Sequence, residues 1–177
     1  AFQQVKPNII IAVPMIIEKI YKKKLEPIIE KGSMKVLLKL PVIDQVIYNK
    51  INTTLDETFG GKFEEIILGG AAFNREAEAF FKKVGFRYTV GYGMTECGPI
   101  ISYAPWNNTK LFSCGKPAPR MEVRIASADP GKIPGEIQVR GANVMLGYFK
   151  NEEATKAAFT EDGWMRTGDL GVMDASG

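Results

Sequence analysis

The sequence predicts a mixed α/β protein: a layered α/β unit with mainly parallel strands, followed by a small β-rich, barrel-like subdomain. In residues 1–104, short β-branched runs alternate with segments whose apolar residues recur at helical spacing, which is typical of a parallel sheet covered by helices. In residues 105–177, short alternating segments are separated by turns rich in proline and glycine, which is typical of a small sheet or barrel. We therefore place a subdomain boundary between residues 104 and 105.

The chain begins with a predicted strand and a predicted helix. Between Phe2 and Val13, Pro7 is followed by a β-branched run that indicates a short buried strand. From Pro14, apolar residues recur at helical spacing, and Pro27 should end or kink that helix. The helix carries a run of lysines, which we interpret as a solvated face, with a contact to membrane or coenzyme phosphate as the alternative. These residues are Lys19, Lys22, Lys23 and Lys24.

A second helix and a second strand follow Pro41. Apolar residues at helical spacing line one face of this helix, and Gly60-Gly61 should end it. The face consists of Val42, Ile43, Val46, Ile47, Ile51, Leu55 and Phe59. Residues 63–68 then predict a strand that runs into the turn Gly69-Gly70.

A third helix is bounded by recognisable caps. Asn74 is a suitable N-cap, and Gly85 is placed to end the helix. The predicted buried face consists of Ala77, Phe80, Phe81 and Val84. Residues 86–92 then alternate as a strand should.

The remainder of the chain predicts strands and one short helix. Residues 121–125 and 136–140 alternate in the manner of paired strands. A helix from about Glu152 to Phe159 should begin at the N-cap Asn151. Farther on, a turn at 167–169 should separate two strand segments. The sequence stops at Gly177 within this β-rich region and starts at an alanine, so we expect a piece of a larger protein, truncated at its C-terminal end.

Composition narrows the classes of function. The formal net charge of +3 is too small to indicate a nucleic-acid surface, and the chain contains no histidine, the commonest general base and metal ligand. Cys97 and Cys114 lack the spacing of a zinc site or a disulfide framework, and Cys97 should be an inert thiol. No apolar run is long enough to span a membrane and no secretion signal opens the chain, so we expect a cytoplasmic location.

The most informative motif is the run Tyr92-Gly93-Met94-Thr95-Glu96. An aromatic ring can stack on a base, a threonine hydroxyl can contact a phosphate, and a glutamate carboxylate is an oxygen ligand that Mg²⁺ accepts. This set predicts an adenine-nucleotide site. The alternative is that Thr95 and Glu96 merely start a helix or turn at the surface.

Glycines follow two predicted strands, at 69 and 70 and again at 91 and 93. Ligands bind at the carboxyl ends of strands in open α/β sheets, and glycine lets the backbone approach them closely. The two turns are therefore candidates for one pocket, and plain turns are the alternative.

Asp169 is a second candidate ligand-binding residue. A carboxylate can accept hydrogen bonds from two neighbouring ribose hydroxyls. The alternative is a turn aspartate that binds its own backbone. We interpret Trp164, which precedes it, as a packing residue.

Four motifs occur here in the order found in the adenylate-forming superfamily, which comprises acyl-CoA synthetases, luciferases and the adenylation domains of peptide synthetases. They are Tyr92–Glu96, Gly135–Gly141, Gly147-Tyr148 and Thr167–Gly171. The stretches Val5–Pro14 and Glu18–Tyr21 resemble its long-chain fatty acyl-CoA synthetase branch most. The similarity extends over essentially the whole chain.

The resemblance implies a role for each candidate residue. Tyr92 would stack on adenine, and Asp169 would bind the ribose hydroxyls. Thr95 would contact the phosphate and Glu96 would hold Mg²⁺, which makes these two the implied catalytic residues. The remaining implied binding positions are the backbone of Gly69, Gly70 and Ala71, together with Gly91, Gly93 and Met94; Gly91 would border the acyl channel.

The resemblance also implies a two-step reaction with ATP, Mg²⁺ and coenzyme A. A carboxylic acid attacks the α-phosphate of ATP to give acyl-AMP and pyrophosphate, and the thiol of coenzyme A then displaces AMP. The family often has Pro-Leu where this chain has Ala72-Phe73, which leaves the acyl-chain length open. The phosphate loop and the C-terminal lysine of the family are missing, so we expect these 177 residues alone to be inactive.

Two alternatives to a fatty-acid ligase stay open from the sequence. One is an enzyme that adenylates an aryl or amino acid and loads it onto a carrier protein. The other is a catalytically silent nucleotide-binding module, although such a module would need none of Thr95, Glu96 and Asp169. Long-chain acids partition into membranes, so peripheral membrane contact also stays open, but no amphipathic anchor is visible in the sequence.

Overall fold

The computed structural model describes residues 2–177 and confirms the mixed α/β class. The chain forms two compact units, one from residues up to Val90 together with 105–113, the other from 91–104 and 114–177. These units divide the chain at different places from the subdomain boundary predicted after residue 104, which stays a prediction.

A parallel sheet organises the first unit. Its three strands are β1 (Ile9–Ala12), β2 (Glu65–Leu68) and β3 (Tyr88–Val90), in the order β1-β2-β3. Leu68 is in register with both Ala12 and Val90, so the carboxyl ends of all three strands lie at the same edge. Parallel neighbours need long crossovers, which the helices between them supply.

The start of the chain differs from the prediction. Residues Phe2–Val5 form a short helix, α1, and the strand is confined to the four residues of β1. Only Ile10 is buried, whereas Ile9 and Ile11 are 57% and 80% exposed. Successive side chains of a strand point to opposite faces, and only one face of β1 lies against the core. The prediction of a buried strand was therefore wrong for these two isoleucines.

The helix that starts at Pro14 passes Pro27 with a widened turn. Helix α2 (Pro14–Ile20) continues as a π-helical turn (Tyr21–Leu25) and then as α3 (Glu26–Ile29). The Glu26 amide donates to the Tyr21 carbonyl five residues earlier. A proline cannot donate, and its ring clashes with the carbonyl four residues before it, so the wider turn accommodates Pro27. All four lysines of the charge run are exposed.

Two further helices precede β2. The first, α4 (Gly32–Leu37), was not predicted; the second, α5 (Ile43–Thr58), ends just before Gly60-Gly61, as predicted. The predicted apolar face of α5 is buried only in its second half, at Leu55 and Phe59, and half-buried at Ile47 and Ile51. Its first turn extends past the core, so the apolar residues of that turn are exposed. The exposed members are Val42, Ile43 and Val46.

The best predicted element is α6 (Arg75–Val84). The Asn74 side chain accepts hydrogen bonds from two amides of the first turn, and Gly85 adopts the left-handed conformation that ends the helix. All four residues of its predicted face are buried. Phe80 and Phe81 pack there against other aromatic rings of the core.

Residues 105–113 are held in the first unit by side chains of β2 and α6. The buried carboxylate of Glu65 accepts from the Trp106 amide (2.5 Å), and that of Glu78 accepts from the Phe112 amide (2.8 Å). The Lys82 ammonium donates to the Thr109 carbonyl (2.9 Å). We refer to residues 105–113 as the return segment.

The second unit consists of two antiparallel three-stranded sheets and one helix. The first sheet contains β4 (Tyr92–Gly93), β5 (Ile100–Tyr103) and β6 (Lys116–Pro117); the second contains β7 (Met121–Ala126), β8 (Gly135–Gly141) and β9 (Met165–Gly171). Helix α7 (Glu152–Ala158) begins at the predicted N-cap Asn151. The predicted strand over 86–92 is therefore two strands, β3 and β4, in different sheets.

The core of the second unit contains few large side chains. It consists of Cys97, Ile101, Met121, Val139 and Met165. Of the helices described in residues 2–177, none has the length and apolar character needed to cross a membrane.

Candidate functional site

Tyr92 and Asp169 are brought together although 77 residues separate them in the sequence. The Tyr92 hydroxyl donates to Asp169 Oδ2 at 2.7 Å. The Tyr92 ring is half-buried and packs against the core of the second unit, whereas Asp169 is exposed. The hydroxyl bond and the core packing together fix the direction of the ring.

Asp169 lies in a strand with a bulge and not in a turn between two strands. Strand β9 runs from Met165 to Gly171, and its pairing with β8 shifts register between Glu136 and Gln138. Gly168 has a φ of 75°, a conformation that glycine adopts without strain. The predicted turn at 167–169 was therefore wrong, because an irregularity within one strand carries the same glycine signal as a turn.

The bulge is stabilised by Thr167. Its hydroxyl donates to the Ile137 carbonyl (2.8 Å) and accepts from the Asp169 amide (3.2 Å). The Asp169 carboxylate therefore does not bind its own backbone, in contrast to the turn-aspartate alternative. It is directed to Tyr92 instead.

Thr95 and Glu96 lie in a single 3₁₀ turn, Thr95–Cys97, directly after β4. Thr95 is exposed, and its hydroxyl makes no hydrogen bond to any residue in the described part of the chain. Glu96 is half-buried, and its Oε1 accepts from the Tyr148 hydroxyl at 3.0 Å. The two residues thus form a turn at the surface, which was the alternative interpretation of the sequence. In this conformation the Thr95 hydroxyl and Glu96 Oε2 are still available to a ligand.

The loop 143–148 holds this turn from the side. The Met145 amide donates to the Glu96 carbonyl (2.7 Å), and the Asn143 side chain donates to the carbonyls of Cys97 (2.5 Å) and Ile100 (3.0 Å). Together with the Tyr148 hydroxyl, these bonds position Glu96 through both its backbone and its carboxylate. Sequence reasoning missed Asn143 altogether, and it quoted Gly147-Tyr148 as a motif without assigning the tyrosine a contact.

The titrating groups around the turn have shifted pKa values. The pKa of Tyr92 is raised, chiefly because the side chain is partly buried and secondarily because of its hydrogen bond to Asp169. The hydrogen bond to Glu96 raises the pKa of Tyr148. Burial, followed by the charge of Glu96, raises the pKa of the Cys97 thiol to about 11, so this cysteine is the inert thiol that the sequence indicates.

Only glycine fits at position 93, because the backbone of Pro99 and Ile100 lies too close for a side chain. A Cβ at this position would lie 1.9 Å from the Pro99 carbonyl oxygen and 3.1 Å from the Ile100 Cα. The absent side chain therefore makes room for the protein's own backbone.

The two other predicted positions beside Tyr92 and Gly93 are Met94 and Gly91. Met94 is half-buried, donates its amide to the Pro99 carbonyl (2.9 Å), and packs against the core of this unit. Gly91, also half-buried, immediately follows β3 in the sequence.

Gly69, Gly70 and Ala71 belong to the first unit, where they follow β2. The Gly69 amide donates to the Ala12 carbonyl (3.2 Å), and Gly70 has a φ of 80° with open space where a Cβ would project. Ala71 is exposed. These residues form a glycine turn at the carboxyl edge of the parallel sheet, as predicted.

The carboxylate of Glu96 fits a magnesium ion held together with a phosphate. Mg²⁺ keeps several waters and takes one or two protein carboxylates, with phosphate oxygens completing its shell. Oε2 of Glu96 accepts no hydrogen bond from residues 2–177 and is available for such a bond. Over the same residues, no group of three or more acidic or cysteine side chains is arranged as a metal cage.

Comparison with known proteins places these motifs in a family. A family model described as AMP-binding enzyme matches residues 1–149. Two relatives are "Long-chain-fatty-acid–CoA ligase FadD15" of Mycobacterium bovis, 32% identical over 97% of this chain and 31% of its own length, and "Long chain acyl-CoA synthetase 6, peroxisomal" of Arabidopsis thaliana, 31% identical over 94% and 27%. The chain thus spans less than a third of the length of these curated relatives.

A solved structure supports the same assignment. O-succinylbenzoate coenzyme A synthetase (MenE) from Bacillus subtilis, in complex with ATP and magnesium ion, superposes with a TM-score of 0.66 and 26% identity, covering 98% of this chain and 31% of that chain. The family match covers more than half of the sequence, and the structural likeness extends over almost all of it. The chain therefore belongs to the AMP-binding enzyme family.

Proposed function

We propose that the protein carrying this sequence is an ATP-dependent acid–thiol ligase that forms acyl-AMP and pyrophosphate and then acyl-CoA, with a long-chain fatty acid as its acid. The observation that carries this proposal is the 2.7 Å bond between Tyr92 and Asp169, which joins the two motifs expected to grip adenine and ribose. Within the protein, we propose that residues 105–177 form the β-rich subdomain of the nucleotide-binding domain, and that the enzyme acts in the cytoplasm.

Asp169 is suited to bind the ribose. One carboxylate oxygen is engaged by Tyr92, and Oδ1 accepts no hydrogen bond from the described residues, so it can accept from a ribose hydroxyl. Hydrogen bonds to a charged group contribute roughly 1.5–3 kcal/mol each. Tyr92, held by the same carboxylate, would offer its ring to the adenine base.

Thr95 and Glu96 are suited to the phosphates. The exposed Thr95 hydroxyl can donate to a phosphate oxygen, while Glu96 Oε2 can bind the magnesium ion that accompanies ATP. Bound there, the ion would neutralise part of the charge on the phosphate oxygens. For this task the Tyr148 hydroxyl holds the Glu96 carboxylate, and the Met145 amide holds the Glu96 backbone carbonyl.

The choice of a long-chain fatty acid rests on the two curated relatives named for that activity. The structure of the O-succinylbenzoate enzyme favours an aromatic acid as the second candidate. With either acid, Gly91 would border the acyl channel, and coenzyme A would accept the acyl group. An amino-acid substrate delivered to a carrier protein is the remaining alternative.

Catalysis is tested in the protein that contains this sequence. Palmitate, O-succinylbenzoate and a set of amino acids are each supplied with ATP, Mg²⁺ and coenzyme A, and pyrophosphate release and acyl-CoA formation are measured. The proposal expects acyl-CoA from palmitate. Turnover with O-succinylbenzoate alone would replace the fatty acid by the second candidate, and nucleotide binding without any pyrophosphate release would leave a silent module.

Residue roles are tested by binding AMP to the 177-residue chain with calorimetry. Asp169→Asn removes the charge from the ribose bond and should weaken AMP binding about tenfold to a hundredfold. Asp174→Asn, which alters another acidic residue of the second unit, is the matched control and should leave the affinity unchanged. Equal affinities for all three chains would contradict the ribose role of Asp169.

A further inference from the structure

Six large aliphatic residues are concentrated on one exposed part of the first unit, which we call the α4–α5 tip. They lie within residues 36–46, where α4 passes into α5. Their exposed fractions are 61% for Val36, 37% for Leu37, 43% for Leu40, 76% for Val42, 40% for Ile43 and 63% for Val46. Single exposed aliphatic residues are ordinary, but a contiguous group of this kind marks an interaction surface.

The direction of these side chains follows from the helices that carry them. In α4 the half-buried Met34 marks the inward side, and Val36, two residues farther along the helix, lies on the opposite side and is exposed. Directly after the helix, Leu38 packs against the core, whereas Leu40 is exposed. In α5, the half-buried Ile47 marks the inward side, and the first turn before it extends beyond the core. The connection projects its side chains outward, and Val42 even adopts a φ of 79°, which is strained for a β-branched residue.

Positive charge surrounds the tip in the sequence. Residues 19–50 contain eight lysines and three acidic residues, whereas the formal net charge of the whole chain is only +3. Lys31 and Lys39 flank α4, are exposed, and form no ion pair with the residues described. Lys35 is the exception, since it pairs with Glu30.

We propose that the α4–α5 tip docks onto the surface of an anionic lipid bilayer, with its aliphatic side chains entering the interface and its lysines contacting the lipid headgroups. Aliphatic residues next to lysines are the signature of interfacial binding. The charge also decides against a second copy of this chain as the occupant, because two tips would bring like charges together. The proposal is independent of the ligase activity, so its failure would leave the proposed function standing.

The test is co-sedimentation of the 177-residue chain with two kinds of vesicle. One kind is phosphatidylcholine alone, and the other contains about 30% phosphatidylserine, which supplies the negative surface potential. We expect the chain to partition onto the anionic vesicles at least about tenfold more strongly, and to be released by about 0.5 M NaCl, which screens the attraction.

Two pairs of variants separate the aliphatic and the charged contributions. Leu40→Ser with Val46→Ser should lower partitioning at least about tenfold. Lys31→Gln with Lys39→Gln should lower partitioning about 25-fold, because each lysine near the surface contributes about a factor of five. All four residues are exposed, so both double variants should have the same urea midpoint as the unmodified chain. An unchanged midpoint shows that the variants are folded.

Matched controls come from the second unit. Leu146→Ser with Phe149→Ser removes two apolar residues that are more exposed than Leu40 and Val46, and Lys116→Gln with Lys156→Gln removes the same charge; neither pair should change partitioning. Equal binding to both kinds of vesicle, or equal loss in variant and control pairs, would overturn the proposal. So would a dimer in sedimentation velocity that Leu40→Ser with Val46→Ser converts to a monomer, because the tip would then be an interface between copies.

Discussion

Gly93→Ala is expected to destabilise the second unit although it adds a single methyl group. The new Cβ would lie 1.9 Å from the Pro99 carbonyl oxygen and 2.9 Å from its carbon. Real Cβ atoms essentially never come within 3.0 Å of such atoms. Because the obstacle is backbone and not the end of a flexible side chain, β4 and β5 would have to move apart by about 1 Å.

The magnitude follows from two effects. Overpacking of this kind costs roughly 1–3 kcal/mol. The same movement would stretch the bond from the Met94 amide to the Pro99 carbonyl, now 2.9 Å, past hydrogen-bonding distance, which adds about 1 kcal/mol. The free energy of unfolding should therefore fall by roughly 2–4 kcal/mol.

Urea unfolding monitored by circular dichroism measures this effect. With a denaturant slope of about 2 kcal/mol per molar, the midpoint should fall by roughly 1–2 M. Gly32→Ala is the matched control, since a Cβ there meets nothing within 4 Å in the first turn of α4, and it should leave the midpoint unchanged or slightly higher. A Gly93→Ala midpoint equal to that of the unmodified chain would refute the assignment of Gly93 to strand packing.

Three further outcomes are expected. Asn74→Ala removes the acceptor that caps α6 and should lower the free energy of unfolding by about 1 kcal/mol, measured by urea unfolding against Asn74→Asp, which retains a cap. A thiol reagent at pH 8 should label the exposed Cys114 rapidly and the buried Cys97, whose pKa is about 11, only on unfolding; rapid labelling of both would contradict this. The hydrogen bond from Arg124 holds the pKa of Asp162 well below its ordinary value of about 3.9, so the stability that this pair contributes is complete above that pH and is lost as the pH falls through the lower folded-state pKa. Asp162→Asn should therefore show a shallower loss of stability below about pH 4 than the unmodified chain, and identical acid unfolding curves would exclude the pair as a contributor.

The elements that were predicted correctly are those whose signals all lie within one short stretch of sequence. The capped helix α6 has its N-cap, its apolar period and its terminal glycine within twelve residues, from Asn74 to Gly85, and all were predicted correctly. The helix α7 was found in the same way from Asn151. In α6 the cap and the buried face agree, so no distant contact is needed to decide its conformation.

Features that depend on distant partners were missed or mistaken. The glycine at 168 indicates an irregularity, but only the pairing of β9 with β8 decides between a bulge and a turn. The exposure of Ile9 and Ile11 depends on which face of β1 meets the core, which a β-branched run does not encode. Likewise, the bonds from Asn143 and Met145 to the turn at Glu96 join residues about fifty positions apart, and no periodic pattern marks them.

In the candidate site, likewise, the residue types could be selected from the sequence, but the contacts between them could not. Residue chemistry alone selected Tyr92, Glu96 and Asp169, because a ring, a carboxylate next to a hydroxyl, and a second carboxylate suit a nucleotide. The bond between Tyr92 and Asp169 could not be foreseen, since it arises from the meeting of two strands in the folded unit. The requirement for glycine at position 93 could not be foreseen either, because a Cβ there would meet the Pro99 backbone, which only the folded unit brings close.

The return segment has a consequence for the order in which the chain can fold during synthesis. Glu65 and Glu78 reach their partners Trp106 and Phe112 only after the ribosome has added the intervening stretch and continued through residue 113. At about 5–20 residues per second, and with residues still covered by the exit tunnel, the two buried carboxylates wait for several seconds without their amide donors. The first unit is therefore complete only when the opening strands of the second have already been made, so the two units mature as overlapping events on the ribosome.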